Sequence, residues 1–406
     1  MYRFTCTQCG FSADKNDVRG NPVCPDCKSQ LKLVHLFKQK EEPATGAQPA
    51  FPAQAEATPA VSPPSTPKRY KVTFTGTTAE YFRIWIVNTF LTIITLGIYA
   101  AWAKVRTRQY FYAHTGIGGH SFEYLANPTA ILKGNLIIGG GFILYMAAGH
   151  YYQAAAGIII FLFYLFLPFL IYKTLRFYAH NSAFRNVRFR FSGLLGESYK
   201  IFLLLPMLLP FTLGLIFPYW SFRQKKYFFN NFAFGASPNS FDGTSGFFYQ
   251  TYLTASGIML GIVAAIGFIA YSLIRNPYQS AIQASFLSLL MAYPFILLVG
   301  GVLVQQYLYA MLNNYCWEHS RLGTIRFQST LNPWQLIRIR VMNILGILVS
   351  CGLLIPWAKI RKSRYILDNL TIITQGGLDD FTAEVGIEES AVGEAATDFF
   401  DFEIGL

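Results

Sequence analysis

The sequence is short of charge, with only 13% of its 406 residues Asp, Glu, Lys or Arg, about half the share of roughly 25% usual in soluble domains. That deficit, beside a hydrophobic content of 53%, excludes an ordinary pair of soluble domains and points to lipid. Cysteine is scarce too. The six present are too few and too clustered for a disulfide scaffold, which indicates a reducing compartment for the N-terminus. No secretory leader is evident. The first long apolar run begins near Tyr81, so the first helix is expected to serve as an uncleaved membrane signal. Acidic residues are fewest of all in the body. Nine of the 21 fall between Gly376 and Leu406, a stretch without Lys or Arg, so the rest of the chain sets 33 basic residues against 12 acidic ones. These cations flank apolar runs instead of forming one patch, the pattern that orients membrane segments, and no nucleic-acid partner is expected. No nucleophile, base or paired carboxylates stand in a catalytic pattern, so no enzymatic activity is expected.

What is present begins with Cys6-x2-Cys9 and Cys24-x2-Cys27, fourteen residues apart. Two such pairs offer four thiolates to one structural Zn²⁺, whose binding supplies folding energy that so short a piece lacks. Residues 1–37 are therefore read as a zinc ribbon. Residues 38–69 hold seven prolines from Pro43 to Pro67 and read as an unfolded Pro/Ala-rich tether. Residues 70–375 read as a membrane domain and 376–406 as an acidic tail with interspersed Phe.

Seven apolar stretches lie in the body, each near the ~20 residues needed to cross ~30 Å of hydrocarbon. The first, fourth and seventh align without gaps on Gly97, Gly214 and Gly352, giving repeat units at about 74–110, 191–227 and 327–365. Five residues past each glycine stands Trp102, Tyr219 or Trp357; nine past it, Arg106, Arg223 or Arg361; thirteen past it, Tyr110, Tyr227 or Tyr365. These positions share one helical face, so each arginine is set between two rings. Together with Lys104 and Lys359 they serve either as interfacial anchors or as an anion or lipid-headgroup site. Glu80, Glu197 and Gln335 open the units and Arg83, Lys200 and Arg338 follow one turn later. Thr77-x2-Glu80 and Asn332-x2-Gln335 read as helix caps. Asn88 and Asn343, at equivalent places nine residues before the glycine, are candidate intramembrane polar groups, with interhelical hydrogen bonding as their commoner use. Phe74-x-Gly76 and Phe191-x-Gly193 look like short strands ahead of a helix.

The second with third and the fifth with sixth stretches form two apolar hairpins. Cations lie on both sides of the first, fourth and seventh stretches, so the three units are expected to enter and leave the membrane on the cytoplasmic side, the hairpins supplying four crossings. Seven full spans is the alternative. The isolated histidines, His114 and His120 among them, are read as solvated.

Gly97-Ile-Tyr-Ala-Ala-Trp102-Ala-Lys104-Val-Arg106, Pro356-Trp357-Ala-Lys359-Ile-Arg361 and Phe74-Thr-Gly76 resemble the YjgN-like family of bacterial inner-membrane proteins. The resemblance implies a multi-pass inner-membrane protein of unknown function, without catalytic residues to carry over and with the ribbon as an addition. The expected fold class is an all-α polytopic membrane protein with internal repeats plus the ribbon, both termini cytoplasmic. Two functions stay open. One is a transporter or channel-like protein; the other is a membrane adaptor that holds anionic lipid and gathers protein partners through ribbon and tail.

Overall fold

The structure, a computed structural model, describes residues 2–5, 12–14, 32–35, 67–274 and 279–374. The chain divides into two units, residues 1–61 and 62–406. In the first, strands β1 (Tyr2–Thr5), β2 (Ser12–Asp14) and β3 (Lys32–His35) form an antiparallel sheet with β1 in the middle. Cys6, Cys9, Cys24 and Cys27 lie outside the described residues, as do most of the tether and the tail.

The second unit overturns the all-α expectation. Ten short strands close into an antiparallel barrel: β4 (Lys68–Phe74), β5 (Thr115–Ile117), β6 (His120–Tyr124), β7 (Ser182–Phe184), β8 (Val187–Phe191), β9 (Phe232–Phe234), β10 (Ser237–Phe241), β11 (Ser320–Leu322), β12 (Ile325–Ser329) and β13 (Leu370–Thr374). Each pairs with its neighbours in sequence, and β13 pairs with β4 to close the ring. A sheet without edges leaves no row of unpaired backbone groups. Two-residue loops join β5 to β6, β7 to β8, β9 to β10 and β11 to β12. Gly118-Gly119 and Arg185-Asn186 have positive φ at both positions, the conformation whose twist suits a two-residue hairpin. The fifth hairpin, β13 with β4, is built from the two ends of the domain.

Between β4 and β5, and likewise after β6, β8, β10 and β12, the chain leaves the barrel as a helical hairpin and returns. Because successive strands alternate in direction, all five hairpins leave from one rim, and the tight β-turns occupy the other. The first holds α1 (Thr78–Ile94) and α2 (Ala100–Ala113); the second α3 (Pro128–Tyr151) and α4 (Gln153–Asn181). The third holds α5 (Leu195–Tyr199), a π-helical turn (Lys200–Leu204), α6 (Leu205–Met207) and α7 (Phe217–Asn231). The fourth holds α8 (Ser245–Ile274) and α9 (Gln279–Glu318); the fifth α10 (Pro333–Val349) and α11 (Ile355–Asp368). The break in the third unit is where its prolines cluster: Pro206 has no amide to donate, and just before it Leu205 reaches back five residues to Lys200.

The repeat is thus fivefold, strand to helical hairpin to strand, and one set of hydrogen bonds closes every copy. The amides of Thr75, Leu125, Ser192, Asp242 and Thr330 donate to the carbonyls of His114, Asn181, Asn231, His319 and Asn369 respectively, at 2.8 to 3.0 Å. Asn181, Asn231 and Asn369 turn their side-chain amides back onto the carbonyl four residues earlier, at 2.7 to 2.8 Å. The Nδ1 atoms of His114 and His319 take that place at 2.7 and 2.9 Å. These two histidines, expected to be solvated, are helix-end caps instead, satisfying carbonyls that a terminating helix leaves free.

The barrel is filled. Val72, Ile117, Phe184, Val187, Phe234, Ile325 and Ile372 are buried in one cluster joined by Tyr70, Phe122, Phe189 and Phe327, among others. A ten-stranded ring is wider than the eight-stranded one that aliphatic side chains just fill, and rings take up the difference: Phe122 lies 4.8 Å from Phe184, and Phe189 4.9 Å from Phe234. Alternation turns Lys71, Arg188, Arg190 and Arg326 outward, where they are exposed.

Candidate functional site

The three units found in the sequence are the first, third and fifth hairpins, and their tips share one geometry. Leu96, Leu213 and Cys351 have φ near +50°, and Gly97, Gly214 and Gly352 follow at +92°, +80° and +94°. Each glycine amide reaches back five residues, to Thr92, Leu209 or Ile347, at 2.8 to 2.9 Å, as in a Schellman helix end. Two residues before each glycine stands a hydroxyl. Thr95 and Thr212 donate to the carbonyl four residues earlier, and Thr95 and Ser350 also accept the amides of Tyr99 and Leu354. The tip therefore satisfies its own backbone. Its side chains are nonetheless apolar and outward: Leu96 is 93%, Leu213 91% and Val349 85% exposed. Such a turn is costly in water and suited to hydrocarbon, where no solvent pairs a free amide or carbonyl.

The second hairpin ends differently. Its tip is His150, Tyr151, Tyr152 and Gln153, with both tyrosines 74% exposed, the composition of a membrane–water interface. Its arms of 24 and 29 residues reach about 36 and 43 Å, against about 25 Å for the 17 residues of α1. Among the described residues three helices are long and apolar enough to cross a membrane: Pro128–Tyr151, Ala154–Asn181 and Ser245–Phe268. They belong to the two long hairpins.

The tyrosines read as ring partners of an anion site are latches. The Tyr110 hydroxyl accepts the Thr77 amide at 2.8 Å, while the Thr77 carbonyl and Glu80 Oε2, at 3.0 and 3.2 Å, compete for its proton. Tyr227 donates to the Leu194 carbonyl at 3.1 Å, and Tyr365 accepts the Asn332 amide at 2.9 Å. Tyr315 does the same for Thr244 at 2.8 Å in the fourth unit, which the sequence reading missed. The recurring signal was available: each latch tyrosine stands four residues before the His or Asn that caps its helix. In the second unit that place is Phe177. Thr77 and Asn332 cap α1 and α10 as expected, accepting the amides of Glu80 at 3.3 Å and Trp334 at 2.9 Å.

Asn88 and Asn343 are buried clasps between the arms of their hairpins. Asn88 donates to the Ala103 carbonyl at 3.3 Å, and Asn343 to the Ala358 carbonyl at 3.1 Å. In the third unit Leu205 replaces the asparagine, and Trp220 bridges the arms by donating to Ile201 at 2.8 Å. Oδ1 of both asparagines has no hydrogen-bond partner among the described residues, so each clasp uses the amide donor alone. With these side chains committed to helix pairing and the barrel packed with rings, the transporter expectation gains no support.

The arginines differ from unit to unit. Arg223 is held by Glu197 at 3.3 Å. In the first unit Glu80 is engaged by Tyr110 and lies 3.8 Å from His114 Nε2, while Arg106 is exposed, Lys104 half-buried, and Trp102 packs against Ala101 and Val105. In the fifth unit the equivalent of Glu197 is neutral Gln335. There Arg361 lies over the Trp357 ring, 5.1 Å from its centre, and a cavity of about 430 Å³ opens among Thr78, Gln335, Arg361, Arg364 and Asp368. Arg364 ties this unit to the first by donating to the Gly76 carbonyl at 2.8 Å. Lys359 and Arg338 are exposed and Tyr219 half-buried. Each of the three copies of the motif sits in its own hairpin.

The model of a family described as "Bacterial protein of unknown function (DUF898)" matches residues 69–399. Among curated proteins, the chain is similar to Inner membrane protein YjgN of Salmonella typhimurium, 26% identical over 76% of this chain and 89% of that protein. It is also similar to Inner membrane protein YjgN of Escherichia coli O157:H7, 24% identical over 73% and 88% of the two. The protein of that name from Escherichia coli K12 is 31% identical over 36% of each chain. No solved structure matches.

Proposed function

The chain belongs to the DUF898 family of bacterial proteins of unknown function, and from that premise we propose that it is a multi-pass inner-membrane protein acting as a membrane-anchored platform. Two long hairpins cross the bilayer, three short ones dip into it and return, and the barrel lies at the cytoplasmic face with the N-terminal ribbon and acidic tail on the same side. The observation that carries this is the contrast of tips: Leu96, Leu213 and Val349 on the short hairpins against Tyr151 and Tyr152 on the long one. Three further facts support it. The relatives are named as inner-membrane proteins. β4 starts and β13 ends at the rim opposite the helices. The outward Lys and Arg of the barrel suit the side that favours positive charge.

In this reading Cys6, Cys9, Cys24 and Cys27 hold one structural Zn²⁺, and the ribbon gathers a protein partner without catalysing a reaction. Protease added to inside-out membrane vesicles is expected to release an N-terminal fragment carrying one equivalent of zinc, since four thiolates fill one tetrahedral site. The same protease is expected to leave intact spheroplasts unaffected. Release from the spheroplast side alone would overturn the proposal.

A further inference from the structure

We propose that the fifth hairpin holds one anionic phospholipid, its phosphate between Arg338 and Arg361 and an acyl chain along Met342, Leu345 and Val349. A groove of about 580 Å³ follows this line on the outer side of α10 and α11, with Trp357 forming its wall. The two guanidiniums stand at its barrel end. Neither is in an ion pair with an acidic residue among the described residues. Met342 and Leu345 are about half exposed and Val349 almost fully so, continuing the groove to the hydrocarbon-facing tip. Gly346 keeps the floor low: a Cβ there would stand 3.3 Å from the Trp357 ring and 3.4 Å from Leu354.

Three considerations commit the site to a lipid. A phosphate accepts bidentate hydrogen bonds from planar guanidinium, and two such groups give the charge complementarity that one does not. The stem of the groove is apolar, which a free phosphate does not need. The third unit shows what removes the site: there Glu197 takes Arg223 at 3.3 Å, and in the fifth the same place is Gln335, which has no charge to offer. Asp368 lines the adjoining cavity, not the groove.

The inference rests on the proposed placement of the short hairpins in lipid. The test is native mass spectrometry of the full chain taken from nanodiscs of equal phosphatidylglycerol and phosphatidylcholine. The wild type is expected to retain phosphatidylglycerol about tenfold over phosphatidylcholine, and Arg338→Gln with Arg361→Gln to abolish that preference. Gln335→Glu keeps both arginines and the helix, and is expected to lower the retention about tenfold by supplying Arg361 with a carboxylate. Inorganic phosphate at millimolar concentration is expected not to displace the lipid; displacement would make this a free-anion site and overturn the assignment. Unchanged preference in both variants would overturn it too. If the short-hairpin tips prove to be in lipid while the preference is indifferent to these residues, the site alone fails; if the tips are in water, both readings fail.

Discussion

Leu213→Asp is expected to cut the yield of folded, membrane-integrated protein roughly a hundredfold, because a carboxylate near the bilayer centre costs about 3 kcal/mol. Leu213 is 91% exposed at a tip whose backbone is already satisfied, so nothing in the protein would compensate the charge. In a water-exposed loop the same change replaces an exposed leucine with a solvated aspartate and is neutral or favourable. Leu96→Asp is expected to behave alike, since the first tip has the same turn and exposure. Thr324→Asp, at an exposed two-residue turn on the opposite rim, is expected to leave the yield within a factor of two, corresponding to about 0.5 kcal/mol or less. Fluorescence-detected size exclusion after mild detergent extraction reads all three. Equal tolerance at the tips and at Thr324 would place the tips in water.

The second large effect is at the junction of strand and helix. A Cβ on Gly193 would lie 2.6 Å from the Phe191 ring and 2.8 Å from the Tyr227 hydroxyl; on Gly76, 2.6 Å from the Phe74 ring; and on Gly243, 2.3 Å from the Phe241 ring. In these three units the ring folds back over the position two residues on and fills the space a Cβ would take, whereas the second unit has buried Ala126 after Tyr124. The fifth unit reaches the same end by exchange, with Ser329 where the ring would be and buried Leu331 in place of glycine. Gly193→Leu alone is expected to destabilise by about 3 kcal/mol or more through overpacking. Phe191→Ser alone is expected to cost a similar amount, about 3 to 5 kcal/mol, by emptying a buried aromatic site. The two together move the apolar bulk as the fifth unit does, and the double variant is expected to melt well above either single one. Gly246, with no atom within 4 Å of its would-be Cβ, is the control and its alanine variant is expected to melt with the wild type. A double variant no more stable than Gly193→Leu would mean that the units are not interchangeable at this point.

Much of the helical part was legible. Thr77 and Asn332 announce helix starts, and the glycines at 97, 214 and 352 announce the turns between the arms of the short hairpins. The barrel was not. Its strands are three to seven residues long, too short for alternation to stand out beside helices several times longer, and each pair spanning a helical hairpin is brought together only by the fold. Phe74-x-Gly76 and Phe191-x-Gly193 were visible as strand ends, but nothing local states that β4 pairs with β13, some three hundred residues away. The count of repeats fell short for a related reason. Among the described residues the left-handed tip glycine belongs to the three short hairpins, and the long ones have arms of other lengths. Anchoring on the strand end and on the His or Asn cap would have found all five. For the candidate site, the exchange of Glu197 for Gln335 is visible in the sequence, yet its meaning depends on Arg223 being held in one unit while Arg361 lies over Trp357 in another.

The placement of the hairpins is tested most directly by labelling intact spheroplasts with a membrane-impermeant maleimide, comparing the wild type with Tyr152→Cys and His120→Cys. Tyr152 is at the tip of the second hairpin, and His120 is exposed at a β-turn on the barrel rim. The account predicts label on Tyr152→Cys at once, on His120→Cys only after permeabilisation, and none on the wild type, whose exposed Cys351 is at a tip within the lipid. Seven full crossings require the reverse for the two variants, His120→Cys labelled and Tyr152→Cys protected, and that result would contradict it.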